Sequence, residues 1–214
     1  MRLDHVSYVA SHDQISDVVN RIGSQIGTAF VDGGIHPKFG TRHFTAPLLN
    51  GQYIEIVCPL DHPATDATPF GRAVKAKADE GGGWLTWVFS VEDISTIEVQ
   101  FGRKAVEGSR SKPDGTQLNW KQIGVNEIIQ TKELPFFIQW LTSNHPSNDG
   151  KAIAKIKSIA VASQERLSNS FFKDTIFESL KKFSVDWIEL NDVEQLAGII
   201  SISMETPHGV VQID

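Results

Sequence analysis

The sequence predicts an α+β fold built from duplicated βαβββ units, because one order of elements occurs twice along its 214 residues. That order is an apolar strand, a helix, a Gly-Thr turn and an apolar strand with a central polar residue. The outer strands of the first copy are residues 3–10 and 53–57, and those of the second copy are residues 84–91 and 137–141. Strands and helices that alternate in duplicated segments are typical of a sheet protein assembled from repeats.

The first unit, residues 1–60, gives the clearest local signals. Its opening segment is rich in β-branched and aromatic residues and has the length of a strand. Apolar residues then recur at spacings of three and four, which predicts an amphipathic helix that ends at Gly23. Turn residues dominate 32–41 and predict a shaped loop. Asn50-Gly51, placed between two apolar segments, predicts a hairpin.

The rest of the chain repeats this pattern less clearly. Residues 61–83 are predicted to connect the units and close with three glycines, and residues 84–148 form the second unit, whose helix ends at Gly102. Residues 151–214 open with another apolar strand and continue into a predicted helix around Phe171. Because further apolar segments follow, this stretch is predicted to be a partial third βαβββ unit.

Charge and composition argue against some classes of function. The net charge of −6 argues against a general nucleic-acid binder, which needs clustered Lys and Arg, and no apolar run approaches the length of a membrane span. The N-terminus lacks the pattern of a signal peptide, and the single cysteine, Cys58, cannot form an internal disulfide. These features predict a cytoplasmic protein. Its expected partner is a small-molecule ligand, with a homodimer left open.

His5 and Glu55 are the residues most suggestive of chemistry, because each lies inside an otherwise apolar strand. Burying a carboxylate costs several kcal/mol unless it meets a cation or hydrogen-bond donors. In one interpretation the two side chains ligate a divalent cation such as zinc, manganese, iron or nickel, with water or substrate oxygens in the other positions. In the other, they form a buried hydrogen-bonded pair or line a wet pocket.

Three segments carry a resemblance to a known family. They are the opening Leu-Asp-His-Val, the loop from Gly33 to Thr41, and the strand Tyr-Ile-Glu-Ile around Glu55. Together with the βαβββ duplication they resemble the vicinal oxygen chelate superfamily, and more closely its glyoxalase-like domain branch, over about residues 1–150. The resemblance implies that the first two units form one glyoxalase-like domain with cupped mixed sheets of the glyoxalase/dioxygenase type.

The resemblance also implies metal ligands on the first and fourth strand of each unit. In this sequence those positions are His5, Glu55, Thr86 and Gln139. Threonine is a poor ligand for a divalent ion, so the implied site has three protein ligands, His5, Glu55 and Gln139. The implied function is a metal-dependent lyase, isomerase or dioxygenase acting on a carbonyl-bearing or vicinal-oxygen substrate. The alternatives are a metal-free protein that binds or sequesters a small molecule in the same cup, and a partner-binding module.

Further polar residues are predicted to surround the substrate. His36 is expected to contact substrate near the mouth of the cup, with a turn-stabilising hydrogen bond as the alternative. His43 is the predicted general base. Thr86 and Asn119 are predicted to bind substrate from the second unit. Arg110 or Lys112 is a candidate for holding an anionic group, although placement on the surface is the favoured interpretation for both.

Overall fold

The structure is a computed structural model that describes residues 1–163, 184–190 and 197–214. The first unit contains β1 (Arg2–Val9), α1 (Ile15–Ile26), β2 (Val31–His36), β3 (Thr41–Leu48) and β4 (Gln52–Pro59). Two connecting helices, α2 (Pro63–Ala67) and α3 (Pro69–Asp79), lead into the second unit. That unit contains β5 (Gly83–Ser90), α4 (Ser95–Phe101), β6 (Val106–Ser111), β7 (Gln117–Ile123) and β8 (Phe136–Trp140). The C-terminal strands are β9 (Lys155–Ser163), β10 (Val185–Glu189), β11 (Gly198–Thr206) and β12 (Gly209–Ile213).

The first two units share one mixed sheet of eight strands in the order β2-β3-β4-β1-β5-β8-β7-β6. Within each unit the first strand runs parallel to the fourth, β1 beside β4 and β5 beside β8. The units join through the antiparallel pair β1 and β5 at the centre. The sheet curls so far that its two edge strands, β2 and β6, contact each other. This arrangement confirms the predicted duplication of βαβββ units and the cupped sheet.

Local signals explain most element boundaries. Helix α1 buries Ile15, Ile22 and Ile26 along one stripe, as the spacing predicts. It continues one turn past the predicted end at Gly23, because Gly27 adopts the left-handed conformation (φ 69°) and closes the helix with a hydrogen bond from its N–H to the Gly23 carbonyl.

The predicted Asn50-Gly51 hairpin is present. Both residues have positive φ, 66° and 68°, as the tight turn between β3 and β4 requires.

The prediction of a loop over residues 32–41 is partly wrong, because Val31–His36 pairs with β3 as an edge strand. A register shift between Asp32 and Gly34 bends this strand. A methyl group at Gly33 would lie only 2.2 Å from Nε2 of His43, so the small residue makes room for that imidazole. The glycines that suggested a loop therefore allow a histidine ring to lie against the strand.

The C-terminal strands form a second sheet in the order β10-β9-β11-β12. Apolar residues of β9 and β11, among them Val161, Ile202 and Met204, belong to the same core as Val6 and Trp87 of the large sheet. In each of the first two units the first strand lies beside the fourth, β1 beside β4 and β5 beside β8. In the second sheet the first strand, β9, lies between β10 and β11 and not beside the fourth strand, β12. The helix predicted near Phe171 falls outside the described residues, so a third βαβββ unit stays a prediction.

No helix among the described residues is both long enough and apolar enough to cross a bilayer.

Candidate functional site

The concave face of the large sheet forms a pocket, whose space not filled by atoms is about 460 Å³ when the open solvent at its mouth is included. Both units contribute side chains to it. Its polar lining comprises three imidazoles, a carboxylate, a phenol and a guanidinium, namely His5, His36, His43, Glu55, Tyr53 and Arg110. Its apolar walls include five aromatic rings, those of Phe39, Phe70, Trp120, Phe136 and Trp140.

Strand alternation brings the polar side chains of the first unit to this face. In the parallel pair β1 and β4, His5 lies opposite Tyr53 and Ser7 lies opposite Glu55. The Ser7 hydroxyl donates a hydrogen bond of 2.7 Å to Oε2 of Glu55. Glu55 is buried, yet this hydroxyl is its only hydrogen-bond partner within the described segments of the chain. The carboxylate therefore keeps acceptor capacity for a further ligand.

His5 is oriented by a neighbour that the sequence analysis overlooked. Its Nδ1 lies 2.9 Å from Oδ1 of the fully buried Asp4, and its ring stacks on Tyr53 with ring centroids 4.4 Å apart. Burial alone would raise the pKa of Asp4, but hydrogen bonds from His145 and His5 hold that pKa well below its ordinary value. An ionised Asp4 accepts the Nδ1 proton, which leaves Nε2 of His5 as the basic nitrogen.

His36 and His43 stack face to face, with ring centroids 4.0 Å apart and planes only 7° from parallel. Burial, together with the positive charge of Arg110 and the nearby His5, lowers the pKa of His36 to about 3. Burial, with His36 and Arg110, also holds the pKa of His43 well below its ordinary value, although a contact with the Gly34 backbone opposes this. Both rings are therefore neutral at pH 7.

The hydrogen bonds of the two stacked rings differ. His36 Nδ1 lies 3.2 Å from the Thr41 hydroxyl. Within the described ranges of the chain, neither nitrogen of His43 makes a hydrogen bond of normal length and angle, and the buried Thr45 hydroxyl also lacks a partner. Buried polar atoms normally find partners, so unpaired ones that face a pocket indicate a place for a ligand.

A nitrogen of His36, a nitrogen of His43 and a carboxylate oxygen of Glu55 all lie within 4.8 Å of one another. Two imidazoles and a carboxylate are a donor set that divalent transition metals accept. With the unpaired nitrogens of His43, the donor types of this group match a divalent ion, which both stacked rings would reach by rotating. His5 lines the same pocket but is not part of this group.

Gln139, the third ligand expected from the resemblance, does not reach the pocket. Ile138 and Trp140 line the pocket, so the intervening Gln139 points to the opposite face of β8. There its amide donates 2.8 Å to the Glu92 carbonyl and accepts from the Ile94 N–H at 3.2 Å, next to the start of α4. This residue is corrected from a ligand to a structural contact.

The strand register shows which residue of the second unit corresponds to Glu55. Ser7 pairs with Glu55 in the first unit, and Val88, the counterpart of Ser7, pairs with Phe136 in the second. The equivalent position therefore holds Phe136, which lines the pocket and cannot ligate a metal.

The two substrate-binding residues predicted from the second unit also lie outside the pocket lining. Thr86 is fully buried within the sheet, and its hydroxyl donates 3.2 Å to the Trp87 carbonyl. Asn119 lies between Leu118 and Trp120 on β7, and since Trp120 lines the pocket, Asn119 faces the other side. These two expectations are corrected. His36 and His43 do line the pocket, and their predicted roles in substrate contact and catalysis stay predictions.

Arg110 was expected outside the pocket, and the structure places it in the pocket lining. Its side chain was expected on the surface, but it is only 4% exposed and lines the pocket from β6. Nη1 donates a hydrogen bond of 2.7 Å to the Gly33 carbonyl on the other edge strand. Gly108 lies on the same face of β6 and is also buried, but its burial is known only from the structure, and the sequence of this strand has no apolar alternation that could have signalled the placement.

The pairing of β1 with β5, the parallel first and fourth strands and the pocket on the concave face define a protein of the vicinal oxygen chelate class. A model of the glyoxalase-like domain family matches residues 3–171, so the chain belongs to that family. A search of curated proteins found no match to the sequence.

Several solved structures are similar in fold. Methylmalonyl-CoA epimerase from Mycobacterium tuberculosis is 14% identical, with 64% of this chain and 85% of that chain covered and a TM-score of 0.43. A Streptomyces coelicolor methylmalonyl-CoA epimerase variant in complex with 2-nitronate-propionyl-CoA is 12% identical over 66% and 99% of the two chains, with a TM-score of 0.44. A methylmalonyl-CoA epimerase in complex with methylmalonyl-CoA and NH4+ is 14% identical over 68% and 98%, with a TM-score of 0.45. Similarity at this level does not extend to substrate.

Proposed function

We propose that this protein is a small-molecule enzyme of the vicinal oxygen chelate type, which acts on a carbonyl-bearing substrate with the help of a divalent metal ion. The observation that carries the proposal is the buried group of His36, His43 and Glu55, whose ligand atoms lie within 4.8 Å of one another in the pocket. Such a set costs stability when it is left without partners, so its convergence in one pocket favours a chemical role.

His36, His43 and Glu55 would hold the ion, and a divalent ion bound there would polarise substrate oxygens as a Lewis acid. The chain itself supplies a base. His5 presents Nε2 to the pocket, and Asp4 fixes its tautomer through Nδ1, so Nε2 can accept a proton from substrate. The aromatic walls keep water away from this proton transfer.

The combination of an oriented imidazole base with a polarising ion favours isomerase or lyase chemistry over dioxygenase chemistry. In both favoured classes a proton leaves the carbon next to a carbonyl, and the resulting negative charge on oxygen needs electrostatic stabilisation. The cytoplasmic setting and the homodimer expected from the sequence stay predictions.

Metal binding can be tested directly on protein purified without an affinity tag or chelator. We expect stoichiometric metal by elemental analysis. For chelator-treated protein we expect a rise in melting temperature on addition of zinc, manganese, iron or nickel. At about 100 times the dissociation constant the stabilisation is about 2.7 kcal/mol, or roughly 5–10 °C for a chain of this size.

Matched variants separate this site from adventitious binding. His43→Ala and Glu55→Gln should abolish both the bound metal and the thermal shift. His12→Ala and Glu107→Gln, which change exposed residues of the same types, should retain both. A wild-type protein that carries no stoichiometric metal and shows no thermal shift with any of these ions would contradict the metal-dependent function.

A second candidate, a metal-free protein that binds a small molecule, is favoured by the stacking of His36 and His43. The lone pair of an imidazole nitrogen lies in the plane of its ring, so two parallel rings 4.0 Å apart cannot both point at one ion without rotating. In this candidate the neutral rings and aromatic walls hold the ligand by stacking and hydrogen bonds. Absence of a metal effect, together with a thermal shift by a small organic ligand in chelator-treated protein, would select it.

A further inference from the structure

Arg110 is a buried charge that no carboxylate of the described residues pairs with. Its guanidinium carries five N–H donors, and in the described part of the chain its one hydrogen bond is the 2.7 Å contact from Nη1 to the Gly33 carbonyl. The side chain is 4% exposed and lines the pocket. Keeping a cation in such a place costs stability unless an anion pairs with it.

The neighbouring acidic groups contact other side chains and do not pair with Arg110. The Glu55 carboxylate accepts from the Ser7 hydroxyl, and the Asp149 carboxylate forms an ion pair with Lys112. Across the described residues no carboxylate lies within 4.0 Å of Arg110. Burial lowers the pKa of Arg110, while Tyr53, Glu55 and Asp149 act in the opposite sense from a longer distance. The guanidinium therefore faces the pocket as an unpaired cation.

We infer that Arg110 binds the carboxylate group of the substrate, and that the substrate is a small monocarboxylic acid with a flat apolar substituent. This inference rests on the proposed function, because it assumes that substrate occupies this pocket. A planar guanidinium fork matches a carboxylate with two parallel hydrogen bonds.

Charge and wall chemistry decide between anions. Among the described residues that line the pocket, Arg110 is the one guanidinium or ammonium group. It neutralises one negative charge, which a carboxylate carries and a phosphate dianion exceeds. The rings of Phe70, Phe136 and Trp120 provide an apolar wall for the rest of the molecule.

The test uses sodium benzoate and its neutral isostere benzamide as probes on the full chain, by calorimetric titration and ligand-observed NMR. Benzoate should bind wild type, and benzamide should bind at least tenfold more weakly. Arg110→Gln should weaken benzoate binding at least tenfold. Arg110→Lys should give an intermediate value, because it keeps the charge and loses the fork. Arg72→Gln, which changes an exposed arginine, should bind benzoate as wild type does.

The outcomes separate this inference from the metal-dependent function. Equal binding of benzoate and benzamide to wild type, or unchanged benzoate binding by a folded Arg110→Gln variant, overturns the role of Arg110. If metal binds as proposed but neither probe binds wild type, the carboxylate inference fails while the metal site stands. If benzoate binding depends on Arg110 in a protein that binds no metal, the carboxylate site stands and the metal-dependent enzyme fails. Should Arg110→Gln not fold, as judged by near-UV circular dichroism, the comparison of the two probes on wild type decides.

Discussion

Replacing His43 with leucine is expected to stabilise the metal-free protein, although the substitution removes a residue of the candidate site. The His43 side chain is 1% exposed, and with the residues that the structure describes neither of its ring nitrogens makes a hydrogen bond of normal length and angle. A neutral imidazole contains one donor and one acceptor, and each costs about 1–3 kcal/mol when it is buried without a partner. Leucine has a similar volume, suits a strand in the sheet interior and carries no polar atom.

The magnitude follows from two opposing contributions. Relief of two unpaired polar groups returns about 2 kcal/mol at the low end of their range. Loss of the stacking contact with His36, at a centroid distance of 4.0 Å, removes about 1 kcal/mol. The net gain in free energy of unfolding is therefore about 1 kcal/mol or more, which corresponds to a rise in melting temperature of roughly 2–4 °C.

Urea denaturation of chelator-treated protein measures this difference, with the m-value as a check on two-state behaviour. His36→Leu is the matched control and should have the opposite sign, because it leaves the fully buried Thr41 hydroxyl without the partner that now lies 3.2 Å away. A His43→Leu variant that is less stable than wild type by 1 kcal/mol or more would refute the reasoning. It would mean that the nitrogens of His43 are satisfied in the metal-free protein.

Three other substitutions test the framework of the site. Gly33→Ala places a methyl group 2.2 Å from Nε2 of His43. It should lower the free energy of unfolding in urea by about 1–3 kcal/mol. In a double-mutant cycle, His43→Ala should relieve this cost. Asp4→Asn removes the buried carboxylate that orients the pocket imidazole. It should cost about 1–3 kcal/mol in the same assay and alter the NMR resonances of that ring, and unchanged resonances would remove Asp4 from the mechanism. Trp84→Phe breaks the 2.9 Å hydrogen bond from the indole N–H to the Ile213 carbonyl. Faster amide exchange in the last strand is expected, and unaltered exchange would argue against this link between the sheets.

The first unit could be interpreted from sequence in some detail. His5 and Glu55 were singled out because each is a polar residue within an apolar strand, and the structure places both in the pocket lining. The hairpin at Asn50-Gly51 was predictable since its dipeptide favours positive φ. Signals of this kind depend on short segments of sequence, so they do not change with what the strand packs against.

In the second unit the sequence alignment assigned Gln139 to the wrong face of its strand. The motif alignment matched His5 to Thr86 and Glu55 to Gln139. The separation between the members of the first pair differs by an odd number of residues from the separation in the second pair. An odd shift exchanges the two faces of a strand, so the alignment placed the polar residue in the cup and its apolar neighbours outside. Only the register between β5 and β8 shows that Phe136 occupies the position equivalent to Glu55.

The sequence by itself determined the repeated βαβββ order, the family and the placement of His5 and Glu55 inside apolar strands, because alternation, turn dipeptides and helical spacing are properties of short segments. Tertiary structure decided which groups meet. The curl of the sheet brings its edge strands together, so that Arg110 reaches the Gly33 carbonyl and faces a pocket built by both units. The pairing of β2 with β3 stacks His36 on His43, and burial in the pocket keeps both rings neutral. Contacts between residues far apart in the chain depend on sheet curvature and register, which no local pattern in this sequence specifies.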